Sequence, residues 1–299
     1  MARRSQDHSA EYHRRICRAI DFINSHLAEH PTVSDIADAA PFSKHHFQRL
    51  FRAILGETVA EFTRRVRLET AARRLQFRPL EEVTELALDL GFSSSQNFAK
   101  AFKQQFGVSA TQYREDASQH SIPDEIEMDA KRSFTIPTQN EQAIQVSVRQ
   151  LPATRVAYQR HFGSYNEPGV QAAFDDLQKW AAARQLDRDG DYLGIPWDDA
   201  DVTPGSKCRF DACLRIDVET WTGSGVNTQV IPMGRYAVHR CHVTENHFDA
   251  PWTRLMREWL PGSGYLPSDG PRFEKYLSDG SHDPEGCWDL EICLPVTPL

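Results

Sequence analysis

The chain has 299 residues, of which 40% are apolar, 25% charged and 10% aromatic, the composition of a globular protein with room for two domains of ordinary size. No apolar run approaches the ~20 residues of a membrane span and the Met1–Ala2–Arg3–Arg4 start has no signal-peptide core, so the cytoplasm is the expected compartment and no membrane partner is expected. The formal net charge of −8 by itself argues against nucleic acid, but residues 1–117 hold 17 Lys and Arg against 15 Asp and Glu, while residues 118–299 hold 17 against 27. A mildly basic first half joined to an acidic second half suits a nucleic-acid-binding domain attached to one that handles cations.

Up to about Ala117 apolar residues recur at helical spacing with few Gly or Pro, and the stretch repeats internally. Val33-x-x-Ile36-Ala37-x-x-Ala40-x-Phe42-Ser43 matches Val83-x-x-Leu86-Ala87-x-x-Leu90-x-Phe92-Ser93 at an offset of 50. Ser43-x-x-x-Phe47-x-Arg49-x-Phe51-Arg52 then matches Ser94-x-x-x-Phe98-x-Lys100-x-Phe102-Lys103 at an offset of 51, and each copy ends on a glycine, Gly56 or Gly107. Each copy reads as a short helix, a tight turn with a buried aromatic, a serine N-cap and a second helix with a C-terminal glycine. The arginine-rich Val59–Leu75 stretch reads as one linking helix. Two helix-turn-helix units follow, because the second helix of such a unit needs an apolar back and a polar face for the major groove. Phe47, Leu50 and Phe51 form the expected apolar stripe of the first, with His45, Gln48, Arg49 and Arg52 outward. Phe98, Ala101 and Phe102 form that of the second, with Ser95, Gln96, Lys100 and Lys103 outward. Arg grips guanine and Gln adenine bidentately, and the caps Ser43 and Ser94 leave helix N-termini free to face phosphates.

Residues Ser118–Gln142 are polar, contain Pro123 and Pro137 and show no sustained period, which reads as a linker with little to hold the halves together. Beyond it, two strands are expected over Ile144–Phe162 about Leu151-Pro152, a helix over Glu167–Gln185 and a strand over Arg209–Val218. The order recurs as Thr228–Val243 about Pro232-Met233-Gly234, a helix over Asn246–Leu260 and a strand over Cys287–Val296. Two ββαβ units in tandem predict an α+β domain with a pseudo-twofold axis and a cleft between the halves. An acidic cleft rich in aromatic residues suits a cationic or polarisable organic molecule. Its candidate liners are Tyr165, Trp197, Trp252, Trp288, Glu274, Tyr276 and Glu291, each of which core packing or solvent exposure would also explain. The six cysteines include no CxxC pair and read as buried thiols. His239 and His242 fall on opposite faces of an expected strand, so one ion cannot take both. No metal site or cofactor is expected.

The first half, TVSDIADAAPFSKHHFQRLFRAILGETVAEFTRRVRLETAARRL followed by VTELALDLGFSSSQNFAKAFKQQFGVSATQYR, resembles the DNA-binding domain of the AraC/XylS regulator family over about residues 10–115. The resemblance implies seven helices and a duplex DNA partner, with both recognition helices entering successive major grooves. By motif position it assigns base reading to His45, Gln48, Arg49, Ser95, Gln96 and Lys100, and leaves phosphate contacts to Ser43, Arg52, Ser94 and Lys103. Pro41 stands where the family carries Gly, while Gly91 is retained in the second turn.

The second half resembles the GyrI-like effector-binding domain over about residues 143–297. The residues that carry this are Phe162-Gly163-Ser164-Tyr165, Gly194-Ile195-Pro196-Trp197-Asp198-Asp199, Tyr236-Ala237-Val238, Trp259-Leu260-Pro261, Phe273-Glu274-x-Tyr276-Leu277 and Leu294-Pro295-Val296. It implies a tandem-repeat fold whose pocket glutamate, Glu274 by motif and Glu291 second, meets a cationic lipophilic effector. Val243-Thr244-Glu245-Asn246-His247 departs from the family's Gly-Pro-Tyr-type turn at the pocket rim. The expected function is a ligand-responsive, non-enzymatic transcription regulator with RNA polymerase as a partner. Two alternatives stay open: a second domain that binds only a protein, such as polymerase or a topoisomerase, and hydrolysis of a reactive electrophile by Glu274 as base and Tyr276 as acid.

Overall fold

The structure, a computed structural model, describes residues 2–29, 31–40, 42–120, 144–166, 168–186, 191–244, 247–278, 283 and 286–299. Pro41, most of the expected linker, and Glu245 and Asn246 of the rim loop lie outside these. Among the described residues the first half forms seven helices: α1 Ala2–Ser25, α2 Val33–Ala39, α3 Lys44–Leu55, α4 Val59–Phe77, α5 Val83–Asp89, α6 Ser95–Phe106 and α7 Ala110–His120. None is long and apolar enough to cross a membrane. Their ends follow local chemistry. Thr32 with Asp35 and Thr58 with Glu61 form reciprocal capping boxes at α2 and α4. Gly56 and Gly107 end α3 and α6 in the left-handed conformation, at φ +70° and +79°. Ser94 accepts a bond from the Asn97 amide, as its capping role predicts, whereas the Ser43 side chain makes no cap bond.

Two apolar clusters hold the helices. Ile16, Ile20, Ile23, Ile36, Phe47 and Phe51 form the first, and Leu86, Phe98 and Phe102 belong to the second. The linking helix α4 supplies Phe62 and Val66 to one and Leu68, Ala71, Ala72 and Leu75 to the other, so one rigid element carries both helix-turn-helix units. Leu50, expected in the stripe, is only partly buried against it. From α4, Arg67 donates to Leu27 O at 2.9 and 2.5 Å and to Gly91 O at 3.0 Å. Gly91 has φ +74°, and a Cβ there would lie 2.8 Å from both Leu27 O and Arg67 Nη2.

The second half is an antiparallel sheet with helices on one face. The strands are β1 Ser147–Leu151, β2 Thr154–Phe162, β3 Tyr192–Pro196, β4 Arg209–Arg215, β5 Asn227–Ile231, β6 Gly234–Val243, β7 Tyr265–Pro267, β8 Phe273–Tyr276 and β9 Trp288–Pro298. Their order is β1-β6-β9-β8-β3-β4-β2-β5, with β7 paired to β9. The order reads as two equivalent halves meeting at β8 and β3. Each half takes its edge strand from the other, because β1 pairs with β6 and β5 with β2. The expected ββαβ units are thus ββαββ. The added strands are short: β3 has five residues and β8 four, within the mixed Gly/Pro stretches where alternation is hard to read. Helix α8, Pro168–Ala182, packs Leu177, Trp180 and Ala181 on Ala157, Ala212 and Leu214. The helix expected over Asn246–Leu260 is α-helical as α9 only over Asp249–Arg254, then passes through a π turn, Leu255–Trp259. His239 is buried and meets Gln145 O at 2.8 Å, while His242 is exposed on the other face of β6 beside Asp289.

On the sheet face opposite α8 and α9, helix α1 packs on β2 and β5, which corrects the expectation of loosely joined halves. Arg160 on β2 is buried, with its guanidinium on Asp211 at 2.6 and 2.7 Å and on Asp21 of α1 at 2.9 Å. Tyr158 donates its hydroxyl to Asp21, and Cys17 of α1 lies in the apolar cluster of that sheet face. Helix α4 turns a second stripe toward the sheet domain. Arg209 lies 5.3 Å over Phe62, Arg73 approaches Asp269 at 3.9 Å, and Phe77 packs in the cluster of β6 and β9. Lys207 meets Glu57, at the end of α3, at 3.2 Å. Linker composition carries no information about such a surface, since its residues lie in the elements on either side.

Gly91→Ala should lower unfolding stability by roughly 2–3 kcal/mol, from left-handed strain and a clash with backbone at Leu27. Gly56→Ala, with nothing within 4 Å of the added carbon, should cost roughly 1 kcal/mol. Urea denaturation of the two variants measures the difference, and equal losses would mean that the Arg67 contact yields freely.

Candidate DNA-binding and ligand-binding sites

On α3 the side chains of His45, Gln48, Arg49 and Arg52 are exposed along one stripe, at positions i, i+3, i+4 and i+7. Phe47 and Phe51 are buried on the back. On α6 Gln96, Lys100 and Lys103 are exposed in the same way, with Phe98, Ala101 and Phe102 behind them. Ser95 is half-buried and therefore offers less to a groove than its motif position suggests. Ser94 is committed to its cap through its oxygen, which leaves the hydroxyl proton free to donate, and Ser43 keeps both functions. The sheet domain packs on α1 and the linking helix, and the polar residues of both stripes other than Ser95 are solvent-exposed.

The second site forms where the two halves of the sheet meet. Strands β3 and β8 pair only through Leu193 with Lys275 and Gly194 with Glu274. Alternation on β8 turns Glu274 and Tyr276 toward α8 and α9 and turns Phe273 to the opposite face. Glu274 is 5% exposed, accepts Trp252 Nε1–H at 2.9 Å and accepts the Tyr276 hydroxyl at 2.7 Å. Burial holds its carboxyl above the usual glutamate range, against those two bonds and the charge of Arg272. Burial, and then the Glu274 charge beside it, holds the Tyr276 phenol well above its ordinary value. Gly194 makes the arrangement possible, because a Cβ there would lie 2.5 Å from Tyr276 Oη and 2.6 Å from the Phe210 ring.

Trp288 joins this cluster, with its ring centroid 5.7 Å from that of Tyr276. Tyr165 stands at its edge, 5.9 Å from Phe210, with its hydroxyl donating to Asp198 O at 2.8 Å. Trp197 and Glu291 do not belong to it. Trp197 donates to Asp211 at 2.8 Å on the opposite sheet face, and Glu291 pairs there with Arg149 at 2.6 Å. For both, the side of the sheet depends on strand register, which a run of mixed apolar and charged residues leaves undetermined. Phe174, Phe210 and Phe248 complete the aromatic wall without having been singled out in the sequence. Phe174 and Phe210 lie in regular apolar patterns that read as ordinary core. The cysteines other than Cys287 are buried, and burial pushes the thiols of Cys208 and Cys241 up to about 11 and about 12.

Paired amphipathic units with open polar stripes, joined to a sheet domain with an aromatic cleft, define a DNA-binding transcription regulator with a small-molecule-binding domain. The GyrI-like small molecule binding domain family matches residues 144–297 and a helix-turn-helix domain family matches residues 36–116. The chain belongs to the GyrI-like family and carries an AraC-type helix-turn-helix domain in front. Similar proteins include a DNA gyrase inhibitor of Erwinia billingiae, 34% identical over 127 residues (42% of this chain and 79% of that protein). Another, from Citrobacter rodentium, is 31% identical over 155 residues (51% and 96%). Among solved structures, an AraC-type regulator from Chromobacterium violaceum covers 35% of this chain and 93% of its own, at 24% identity and TM-score 0.34. A hydrolase from Listeria innocua covers 52% and 93%, at 13% identity and TM-score 0.40.

A carboxyl whose folded value is raised contributes stability below the ordinary glutamate value of 4.5, and that contribution is lost as pH rises through the folded value. The ionised Glu274 carboxylate is therefore least favourable at neutral and alkaline pH. Glu274→Gln should stabilise the ligand-free chain at pH 8 by on the order of 1 kcal/mol and by less at pH 5. Urea midpoints at the two pH values test this, and a destabilised variant at pH 8 would mean that the ionised carboxylate holds the cleft together.

Proposed function

We propose that the chain reads specific duplex DNA with α3 and α6 and that a lipophilic cation entering beside Glu274 changes that reading. In this reading His45, Gln48, Arg49, Gln96 and Lys100 face base edges, with Ser95 a lesser contributor. Arg52, Lys103 and the hydroxyls of Ser43 and Ser94 face phosphates, and RNA polymerase is the protein partner. One observation carries the effector half: a buried carboxylate whose hydrogen-bond partners, Trp252 and Tyr276, are both neutral, set among aromatic rings. An ionised carboxylate in such a place is stabilised by an incoming cation, and the rings add cation–π attraction.

Arg49→Ala should cost roughly 1–3 kcal/mol at the selected operator and relax preference at one base position, and Lys100→Ala should act alike on the other half-site. Arg52→Ala and Lys103→Ala should weaken all sequences equally, each lowering the salt slope by about 1. Binding-site selection and salt titrations measure both, and an Arg49→Ala chain with unchanged affinity and preference would place α3 outside the groove.

For the cleft, calorimetry with tetraphenylphosphonium and neutral triphenylphosphine oxide separates charge from shape. Glu274→Gln should weaken the phosphonium at least tenfold and the oxide less than threefold, since one lost charge pair is worth about 1.4 kcal/mol or more in a dry site. Equal losses would assign Glu274 to structure. A second reading rests on the 2.7 Å hydroxyl-to-carboxylate pair of Tyr276 and Glu274, a geometry that suits an acid and a base acting on an electrophile. Turnover of an epoxide or activated ester that Glu274→Gln abolishes would favour it.

A further inference from the structure

A second cation stands at the cleft, and its contacts lead out of it. Arg272, two residues before Glu274, lies with its guanidinium 5.7 Å over the Trp252 ring whose N–H Glu274 accepts. The same guanidinium donates to Asp198 O at 2.7 Å and to Pro196 O at 3.4 Å, just past the end of β3. Tyr165 also closes on this residue, donating to Asp198 O at 2.8 Å and accepting the Asp198 amide at 3.0 Å. The buried Asp198 carboxylate in turn receives Arg209 through the backbone N at 2.7 Å, Nε at 2.9 Å and Nη2 at 2.6 Å. Arg209 then touches the DNA-binding half twice: it lies 5.3 Å over Phe62 of α4 and donates to Asn24 Oδ1 of α1 at 3.2 Å.

We propose that Arg272 is a resident cation of the effector cleft, that an entering lipophilic cation displaces it from Trp252, and that its displacement passes through Asp198 and Arg209 to α1 and α4. The inference rests on the reading that the Glu274 cleft takes a cation. Two cations cannot share one indole face and one carboxylate without repulsion, so the effector and Arg272 compete for that place. When Arg272 leaves, the Asp198 carbonyl keeps only the Tyr165 hydroxyl as donor while its carboxylate stays bound to Arg209, so the loop from Trp197 moves together with that arginine. The same loop holds Lys207 on Glu57 at the end of α3, which gives the movement a second lever on the first recognition helix. Because α4 carries both helix-turn-helix units, a shift at Phe62 alters the register between them, and register is what two successive grooves read. Arg272 is thus a positioning residue that reports occupancy.

The test uses the full chain, an operator fragment obtained by selection, and tetraphenylphosphonium as the probe. In the wild type, saturating phosphonium should change operator affinity at least fivefold by fluorescence anisotropy. Arg272→Met should bind phosphonium at least as tightly by calorimetry, yet change its operator affinity less than twofold. Arg272→Lys, which keeps the charge, should restore most of the response. A full response in Arg272→Met, or a loss of its phosphonium binding, would overturn the proposal. Amide exchange in the ligand-free chain tests the relay without any probe. Arg272→Met should exchange faster than wild type over residues 21–25 of α1 and 59–66 of α4, and unchanged protection there would overturn it. Absence of phosphonium binding to the wild type, with the exchange effect present, would instead remove the cationic-effector reading and leave the relay standing.

Discussion

A buried guanidinium must be matched by carboxylates, and the joining of the two halves of this protein depends on that requirement at Arg160. Asp211, directly opposite Arg160 on the neighbouring strand β4, supplies one partner, and Asp21 of α1 supplies the other. Taking Asp21 away would leave a desolvated charge half-satisfied, which is far costlier than never having formed the group. The apolar contacts around it, Cys17 with Val156, Tyr158 and Cys213, provide area but little register. The ion group provides the register, since it is satisfied in one position of α1 on the sheet.

That docking makes the sheet a shared wall. On β4 Phe210 faces the aromatic cleft, while its neighbours Arg209 and Asp211 face the helical half. On β8 Glu274 faces the cleft and Phe273 the opposite side. Period-2 geometry therefore puts residues of the aromatic cluster and residues facing the helical half one peptide apart, with no long path between them. A close-packed wall of this kind does not deform on one face alone. The strand exchange of β1 and β5 adds stiffness, because neither half of the sheet can rotate without breaking pairs with the other.

The cleft itself is set by small and polar residues at the pseudo-twofold seam. Gly194 leaves the room that Tyr276 and Phe210 occupy, and β3 pairs with β8 through only two residue pairs. Glu274 is tolerated there through two neutral donors and a nearby guanidinium, an arrangement stable enough to fold and still short of full compensation.

The local elements were legible because they depend on near neighbours. The repeat offsets marked α2 and α3, then α5 and α6; Gly56 and Gly107 marked their ends; and the apolar stripes of Phe47 and Phe51, or Phe98 and Phe102, separated buried from open faces. The Phe-Glu-x-Tyr run likewise put Glu274 and Tyr276 on one side of one strand. Which side that was, and what shared it, could not be read. Trp197 and Glu291 look as suitable as Trp252 and Trp288 in sequence, but pairing register sent them to the face opposite α8 and α9. The contact between the halves was equally hidden, since Asp21, Arg160 and Asp211 are far apart along the chain and each alone reads as a solvated charge. Sequence by itself determined the helices of the first half, the Ser94 cap and the shared side of Glu274 and Tyr276, all governed by interactions a few residues long. Only the tertiary structure decided which face each strand residue took and that α1 docks on β2 and β5, because both depend on long-range pairing that the local pattern leaves free.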